Sequence, residues 1–163
     1  MIRILSEGDG RHRIDDGYDA IGWIRGQAIG FRGFASESDA REAAIAARHA
    51  LDRLLRSHYP GWPDRSTIHD RLKSVHDGAY EWLFDGATAI ARLLRPTRRA
   101  YDSSFGIELV LPSFASEGIT VAAGHAISMA VAPYRIDPPD PPEPPAARAS
   151  GESPSAPDSS VFY

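Results

Sequence analysis

The chain has 163 residues, 42% hydrophobic and 25% charged, as is typical of a soluble protein with one domain or two very small ones. It lacks cysteine, which excludes disulfides and cysteine metal sites and favours a reducing, cytoplasmic setting. Residues 1–136 carry 17 basic and 17 acidic side chains, so the five acids and one arginine of residues 137–163 account for the whole net charge of −4. Neither part has the basic excess of a non-specific nucleic-acid binder.

The first part of the chain predicts short strands followed by a long helix. Glycine-punctuated runs of β-prone residues occupy positions 11–15, 20–25 and 28–34, with a further candidate at 2–5. A helix is predicted over 37–57, because alanines and leucines recur there at the spacing of one buried stripe. Ser36 is its expected N-cap.

The second part predicts the same kind of organisation after a loop at 58–70. Strands are expected at 72–76, 79–84, 87–94 and 105–111. The Asp77-Gly78 and Asp85-Gly86 steps indicate tight turns and therefore an antiparallel meander. A second helix is predicted over 117–132, with Ser116 as its N-cap. Gly124 inside this helix costs about 1 kcal/mol relative to alanine, so we expect another element to pack close against it.

The sequence Phe-Ala-Ser-Glu occurs twice, at residues 34–37 and 114–117, and the similarity continues on both sides at a constant offset of 80. It predicts an internal duplication with units at about 1–57 and 71–136. Each unit alone is too small to bury much surface. We therefore expect one α+β domain over 1–136, with antiparallel strands, one helix per unit and a shared core. Phe34 and Phe114 are expected to anchor the strand ends.

Residues 137–163 form a tail, which contains eight of the chain's 13 prolines mixed with serine, alanine and acidic residues. This composition predicts a disordered tail, with polyproline II character near 138–145. Its P-x-x-P spacings would suit a peptide ligand, and a solubilising spacer is the simpler alternative. Its apolar end, Val161-Phe162-Tyr163, is a candidate docking segment.

No secretory signal and no membrane association are expected. The first ten residues lack the apolar run of a signal peptide. The most hydrophobic segment, 119–134, also falls short of the roughly 20 apolar residues that span a bilayer. The basic residues are 17 arginines and one lysine, and asparagine is absent. This bias suggests a GC-rich bacterial genome.

Catalytic chemistry finds little support in the sequence. Ser116 precedes Gly118 but lacks the first glycine of a nucleophile elbow, so capping is the preferred explanation. The His69-Asp70 and His76-Asp77 steps would lie at opposite ends of one strand and would not converge on a metal. No catalytic residue, metal site or cofactor is predicted.

Two features remain as binding candidates. Tyr80, Trp82 and Phe84 alternate along one strand; a core face is preferred for them, and a stacking platform is the alternative. An acid-free run holds Arg92, Arg95, Arg98 and Arg99. Guanidinium groups on a loop suit phosphate or carboxylate partners.

The leading hypothesis is a small bacterial-type protein without catalytic activity that binds another macromolecule. A protein partner is preferred, and a homodimer is one form of it. The first alternative is an RNA- or single-stranded DNA-binding module that uses the loop 92–99 and the aromatic strand. The second alternative is a small-molecule enzyme or sensor with a cleft between the units.

Overall fold

A computed structural model describes residues 1–63, 72–78, 80–97 and 103–136. These residues form an α+β fold with an eight-stranded antiparallel sheet and two α-helices. The elements in chain order are β1 (Arg3–Gly8), β2 (Arg11–Asp15), β3 (Ala20–Arg25), β4 (Ala28–Phe34), α1 (Glu37–His58), β5 (Leu72–Asp77), β6 (Tyr80–Asp85), β7 (Thr88–Leu94), β8 (Phe105–Val110) and α2 (Glu117–Val131), followed by a 3-10 turn (Ala132–Tyr134). The predicted strands and helices are confirmed to within a few residues at their ends.

The strands form one continuous sheet in the order β1-β2-β3-β4-β8-β7-β6-β5. Two meanders of sequential strands therefore meet at the centre, where β4 pairs with β8. In that pair Ile29 lies opposite Leu109, and Phe31 lies opposite Ile107. All four of these side chains are buried, so the junction between the meanders lies at the centre of the core.

Both helices begin at the serines that the sequence indicates. The Ser36 hydroxyl accepts a hydrogen bond from the Asp39 amide at 3.0 Å, and the Ser116 hydroxyl accepts one from the Ile119 amide at 3.2 Å. Each hydroxyl satisfies an amide in the first turn that has no partner within the helix. The predicted capping role of both serines is confirmed.

The helices lie side by side on one face of the sheet. α1 packs most closely against α2 and, among the strands, mainly on β7 and β8, whereas α2 packs on α1 and on β1. A Cβ atom added to Gly124 of α2 would lie only 2.8 Å from Cδ1 of Ile4 and 3.0 Å from Cδ1 of Ile24. The expected close approach is thus a helix-on-sheet contact, and it explains a glycine in the middle of this helix.

The hydrophobic core fills the space between the sheet and the helices. Its large, fully buried side chains come mostly from the strands, and α1 adds a closely packed row of alanines. The strand and helix residues with the largest buried side chains are Ile14, Ile24, Ile29, Phe31, Phe34, Leu51, Leu55, Leu83, Ile90, Leu93 and Ile107.

The two Phe-Ala-Ser-Glu segments differ in their surroundings. Phe34 is the last residue of β4 and is fully buried. Phe114, in contrast, follows the end of β8 by several residues, is 57% exposed and packs edge-on against Tyr59 at 4.6 Å. The expectation that Phe114 anchors a strand end is therefore wrong, because β8 stops at Val110. The duplication itself stays a prediction.

Several sequence-based expectations concern residues outside the described ranges. They are the second half of the 58–70 linker, the His69-Asp70 step, the arginines Arg98 and Arg99, and the tail 137–163. Within the described ranges, neither helix has the length and apolar character needed to cross a bilayer.

Candidate functional site

The sheet face opposite the helices, here called the open face, carries a row of side chains across all eight strands. Residues directly opposite each other in antiparallel pairs project to the same side of a sheet. Following the strand register from edge to edge gives Leu5, Arg13, Trp23, Gly30, Glu108, Arg92, Trp82 and Val75. No helix in the described part of the chain packs on this row.

The aromatic residues of β6 lie on the open face. Tyr80 is 43% exposed and Trp82 is half-buried, whereas Glu81 and Leu83 are buried on the helix side. The preferred assignment of this aromatic face to the core is therefore wrong. The reason is that Glu81 is neutralised on the helix side by Arg41, whose Nη2 lies 2.6 Å from the carboxylate. A buried carboxylate is tolerated when it is paired in this way.

Arg92 joins these aromatic rings to the centre of the sheet. Its guanidinium carbon lies 4.1 Å from the ring centroid of Tyr80 and 5.8 Å from that of Trp82, both within cation–π range. The same guanidinium forms an ion pair with Glu108 of β8. Arg92 is thus held in place by two rings and one carboxylate, which fixes the orientation of its planar group.

Trp23 approaches the same carboxylate from the other side. Its Nε1 donates a hydrogen bond to Glu108 at 3.3 Å. The indole lies across the backbone of Gly30, where an added Cβ atom would be 2.2 Å from the ring. Arg25 adds a third cation–π contact, with its guanidinium carbon 5.4 Å from the Trp23 ring. Rings and guanidinium groups therefore alternate across the middle of the open face.

A groove of about 610 Å³, the open-face groove, runs beside these groups. Its lining includes Trp23, Arg25, Arg32, Tyr80, Arg92, Leu94, Arg95, Pro96, Thr97 and Glu108. Three arginines (Arg25, Arg32 and Arg92) and one carboxylate give the open-face part of this lining a formal charge of +2, although residues 1–136 as a whole are neutral. The groove is therefore a local concentration of positive charge.

The segment that follows β7 is fixed to the sheet on both sides. On the open face, Arg32 donates from Nη1 to the backbone carbonyls of Arg95 and Ser104 at 3.3 and 2.8 Å. On the helix side, the Arg95 guanidinium lies 3.5 Å from the carboxylates of Glu37 and Glu81. These contacts position the start of the arginine-rich loop at the rim of the open-face groove.

The Glu81 carboxyl is the anchor of this arrangement. Burial alone would raise the pKa of Glu81, but a hydrogen bond from Ser74 and the positive charge of Arg41 outweigh burial. His76 and Arg95 act in the same direction, so the pKa of Glu81 lies below its ordinary value. Glu81 is therefore ionised at neutral pH and holds both arginines.

The structure brings together three of the six residues proposed from the sequence, namely Tyr80, Trp82 and Arg92. Arg95 lies at the rim of the groove, but its guanidinium is paired with Glu37 and Glu81 on the helix side. Arg98 and Arg99 lie outside the described ranges. Sequence reasoning missed the partners on the other strands: Trp23, Arg25, Arg32 and Glu108. Two local signals could have found some of them. Trp23 and Arg25 alternate with a buried isoleucine in β3, and Glu108 is the lone charge in an otherwise apolar strand.

The enzyme and metal hypotheses gain no geometric support in the part of the chain that the structure describes. Ser116 is used as a helix cap. No group of three or more His, Asp or Glu side chains among the described residues is placed to hold a metal ion. Comparison with protein-family models, with curated proteins and with solved structures found no match. The role must therefore be inferred from the open face itself.

Proposed function

We propose that this protein binds single-stranded nucleic acid, RNA or DNA, on the open face of its sheet. One observation carries the proposal: the rings of Tyr80, Trp82 and Trp23 share a solvent-facing surface with the guanidinium groups of Arg92 and Arg25. A protein partner was the preferred hypothesis from the sequence, and the placement of these side chains favours the nucleic-acid alternative.

The two kinds of side chain suit the two parts of a nucleotide. Unpaired bases stack on aromatic rings whatever their sequence, which contributes roughly 1–3 kcal/mol per base. The planar guanidinium group of arginine matches the geometry of phosphate oxygens and also stacks on aromatic rings. The open face offers both within one groove, and a sheet that presents rings is a common platform for single strands.

The spacing of the strands sets the expected length of the ligand. Trp23 lies on β3 and Trp82 on β6, and four strand-to-strand steps separate them. At about 4.8 Å per step, the two indoles are roughly 19 Å apart. A strand of about four nucleotides or more is needed to contact both, in the range of site sizes known for single-strand binders.

The local charge of the open face fits an anionic ligand. The open-face part of the groove lining carries three arginines, Arg25, Arg32 and Arg92, against one carboxylate, and Glu108 is already paired with Arg92 and Trp23. Phosphate binding would therefore depend mainly on the outer arginines, Arg25 and Arg32. The cytoplasmic setting expected from the absence of cysteine would place this face among RNAs.

A second candidate function, binding of a protein partner or of a second copy of the chain, is supported by the helix layer. A shallow apolar groove between α1 and α2 is lined by Ala46, His49, Ala50, Arg53, Leu54, Ser57, Ala126, Met129 and Ala130. Met129 is 73% exposed there. Flexible, polarizable methionines are common on surfaces that bind protein partners.

Fluorescence anisotropy with labelled single-stranded oligonucleotides tests the nucleic-acid proposal. Trp82→Ala should weaken binding by about fivefold or more, as expected for the loss of one stacked base. Phe114→Ala is the matched control, because Phe114 is an exposed ring that packs near the end of α1, away from the open face.

Salt dependence supplies the second measurement. Each phosphate neutralised on a single strand contributes about −0.7 to the slope of log K against log salt concentration. Arg25→Ala should reduce the slope by about that amount, whereas Arg53→Ala in the helix-side groove should leave it unchanged. The proposal would be contradicted if the affinity did not change with salt concentration, or if both arginine variants changed the salt slope equally. Loss of binding with Phe114→Ala would move the site to the helix layer.

A further inference from the structure

We propose that the acidic tail, residues 137–163, folds back onto the open face and occupies the same groove as the nucleic acid. The tail then acts as an intramolecular competitor. This inference rests on the proposed function for its biological consequence. The docking itself is a separate claim and is tested without nucleic acid.

The last residues before the tail are bonded to the backbone of β4. The amide of Ile136 donates to the carbonyl of Gly33 at 2.7 Å, and Nε of Arg135 donates to the carbonyl of Arg32 at 3.0 Å. Arg32 itself lines the groove. The last described residues are therefore fixed beside one of the arginines that the tail would have to reach.

Charge complementarity favours this destination. The tail carries five acids against one arginine, a net charge of −4, and the open-face part of the groove lining carries a formal +2. The rest of residues 1–136 must then carry a compensating negative excess, which would repel the tail. The open-face groove presents the guanidinium groups of Arg25, Arg32 and Arg92 to these carboxylates.

The length of the tail is sufficient to cover the groove. Twenty-seven residues follow Ile136. At about 3.1 Å per residue for a proline-rich chain, even half of them would extend roughly 40 Å, more than the distance between the two tryptophans of the open face. Tethering also raises the effective concentration of the tail to about the millimolar range, so weak individual contacts are enough.

The chemistry of the tail resembles that of the ligand it would displace. Its carboxylates, Asp137, Asp140, Glu143, Glu152 and Asp158, supply negative charges at intervals. Its last two residues, Phe162 and Tyr163, supply rings that can stack on Trp82 or Trp23. An acidic segment that ends in aromatic residues therefore offers both kinds of group that the open face recognises.

A spin label on the tail tests the docking directly. The native chain has no cysteine, so Ser159→Cys provides one attachment point for a nitroxide in the full-length protein. The three tryptophans give three indole N–H signals in an NMR spectrum. Trp23 and Trp82 lie on the open face, whereas Trp62 lies on the helix side, where its Nε1 donates a hydrogen bond to Asp52. At low salt the label should broaden the first two signals and leave the Trp62 signal sharp.

Neutralising the tail supplies the matched variant. Replacing its five acids by the corresponding amides, in the same labelled protein, should abolish the broadening, and so should high salt. Broadening of Trp62 instead would place the tail on the apolar groove between α1 and α2, and uniform sharp signals would show that it does not dock. Either result overturns the proposal.

Nucleic-acid binding provides the second readout. A tail that occupies the groove four-fifths of the time lowers the apparent affinity about fivefold. The neutralised variant should therefore bind a single-stranded oligonucleotide about fivefold more tightly, and the oligonucleotide should remove the broadening in the labelled native tail. If the indoles report docking but no oligonucleotide binds, the tail proposal survives and the proposed function fails. If an oligonucleotide binds equally tightly to both proteins, the competition is contradicted.

Discussion

Trp23 donates a hydrogen bond to the Glu108 carboxylate at 3.3 Å although 85 residues separate the two in the chain. Their strands, β3 and β8, are not neighbours, because β4 lies between them. The indole reaches the carboxylate by passing over Gly30, which has no side chain to obstruct it. The centre of the open face therefore depends on a residue that contributes no functional group of its own.

Gly30→Ala should disrupt this bridge. The added methyl group would lie 2.2 Å from the Trp23 ring, so the indole must swing away and release Glu108. Overpacking of this kind costs about 1–3 kcal/mol, and we expect oligonucleotide affinity to fall with it. Urea unfolding and anisotropy measure the two effects. Gly61→Ala is the control, because nothing lies within 4 Å of its added methyl group; equal losses for both variants would exclude the steric explanation.

Gly124→Ala tests the contact between α2 and the sheet. Alanine gains about 1 kcal/mol in helix propensity, but its methyl group would meet Ile4 and Ile24 within about 3 Å. We expect net destabilisation of roughly 1 kcal/mol, partly relieved in the double variant with Ile4→Val. Gly118→Ala in the same helix should be neutral or stabilising. A methyl group added there would have no close neighbour apart from Ser116. A stable Gly124→Ala protein would mean that the isoleucine side chains move aside without cost.

The sequence predicts the elements well and the open face poorly, for a physical reason. Strand and helix signals are local: alternation, caps and glycine turns lie within a few residues of each other. Which face of β6 is buried depends instead on Arg41, which lies on another element and neutralises Glu81. The bridge from Trp23 to Glu108 depends on the pairing of β4 with β8, which no local pattern in either strand specifies.

Acid should destabilise the protein through Glu81. The pKa of Glu81 is lower in the folded protein than its ordinary value of 4.5 in the unfolded chain. Ionised Glu81 therefore stabilises the fold at pH values above 4.5, and this stabilisation is lost as the pH falls from 4.5 through the pKa of the folded state. Glu81→Gln should therefore cost about 1–3 kcal/mol at pH 7, and the difference from the native protein should shrink below pH 4.5.

Unfolding by urea at several pH values measures this difference. Glu7→Gln, at an exposed position in β1, is the control and should track the native protein. Residual acid sensitivity is expected in Glu81→Gln, because hydrogen bonds from Arg3 and from the Asp19 amide also hold the pKa values of Asp15 and Asp16 below their ordinary range. If the difference in unfolding free energy between Glu81→Gln and the native protein stayed constant down to pH 3, the lowered pKa of Glu81 would be contradicted.

Replacing the capping serines separates a structural from a catalytic role. Ser36→Ala and Ser116→Ala should each lower the free energy of unfolding by about 1 kcal/mol, and aspartate at either position should restore it. Thermal unfolding provides the measurement, and Ser38→Ala, inside the first turn of α1, is the control. Failure of aspartate to rescue Ser116→Ala would reopen the question of a second role for that hydroxyl.

The contact of α1 with β7 and β8 has a consequence for biosynthesis. When the chain up to residue 58 has left the ribosome, the apolar stripe of α1 has not yet met β7, β8 or α2, the elements against which it mainly packs. About 50 more residues must be added before β8 is complete, which takes roughly 3–10 seconds at ordinary elongation rates. The nascent chain therefore exposes an alanine- and leucine-rich surface during that interval, and we expect chaperones to bind it there.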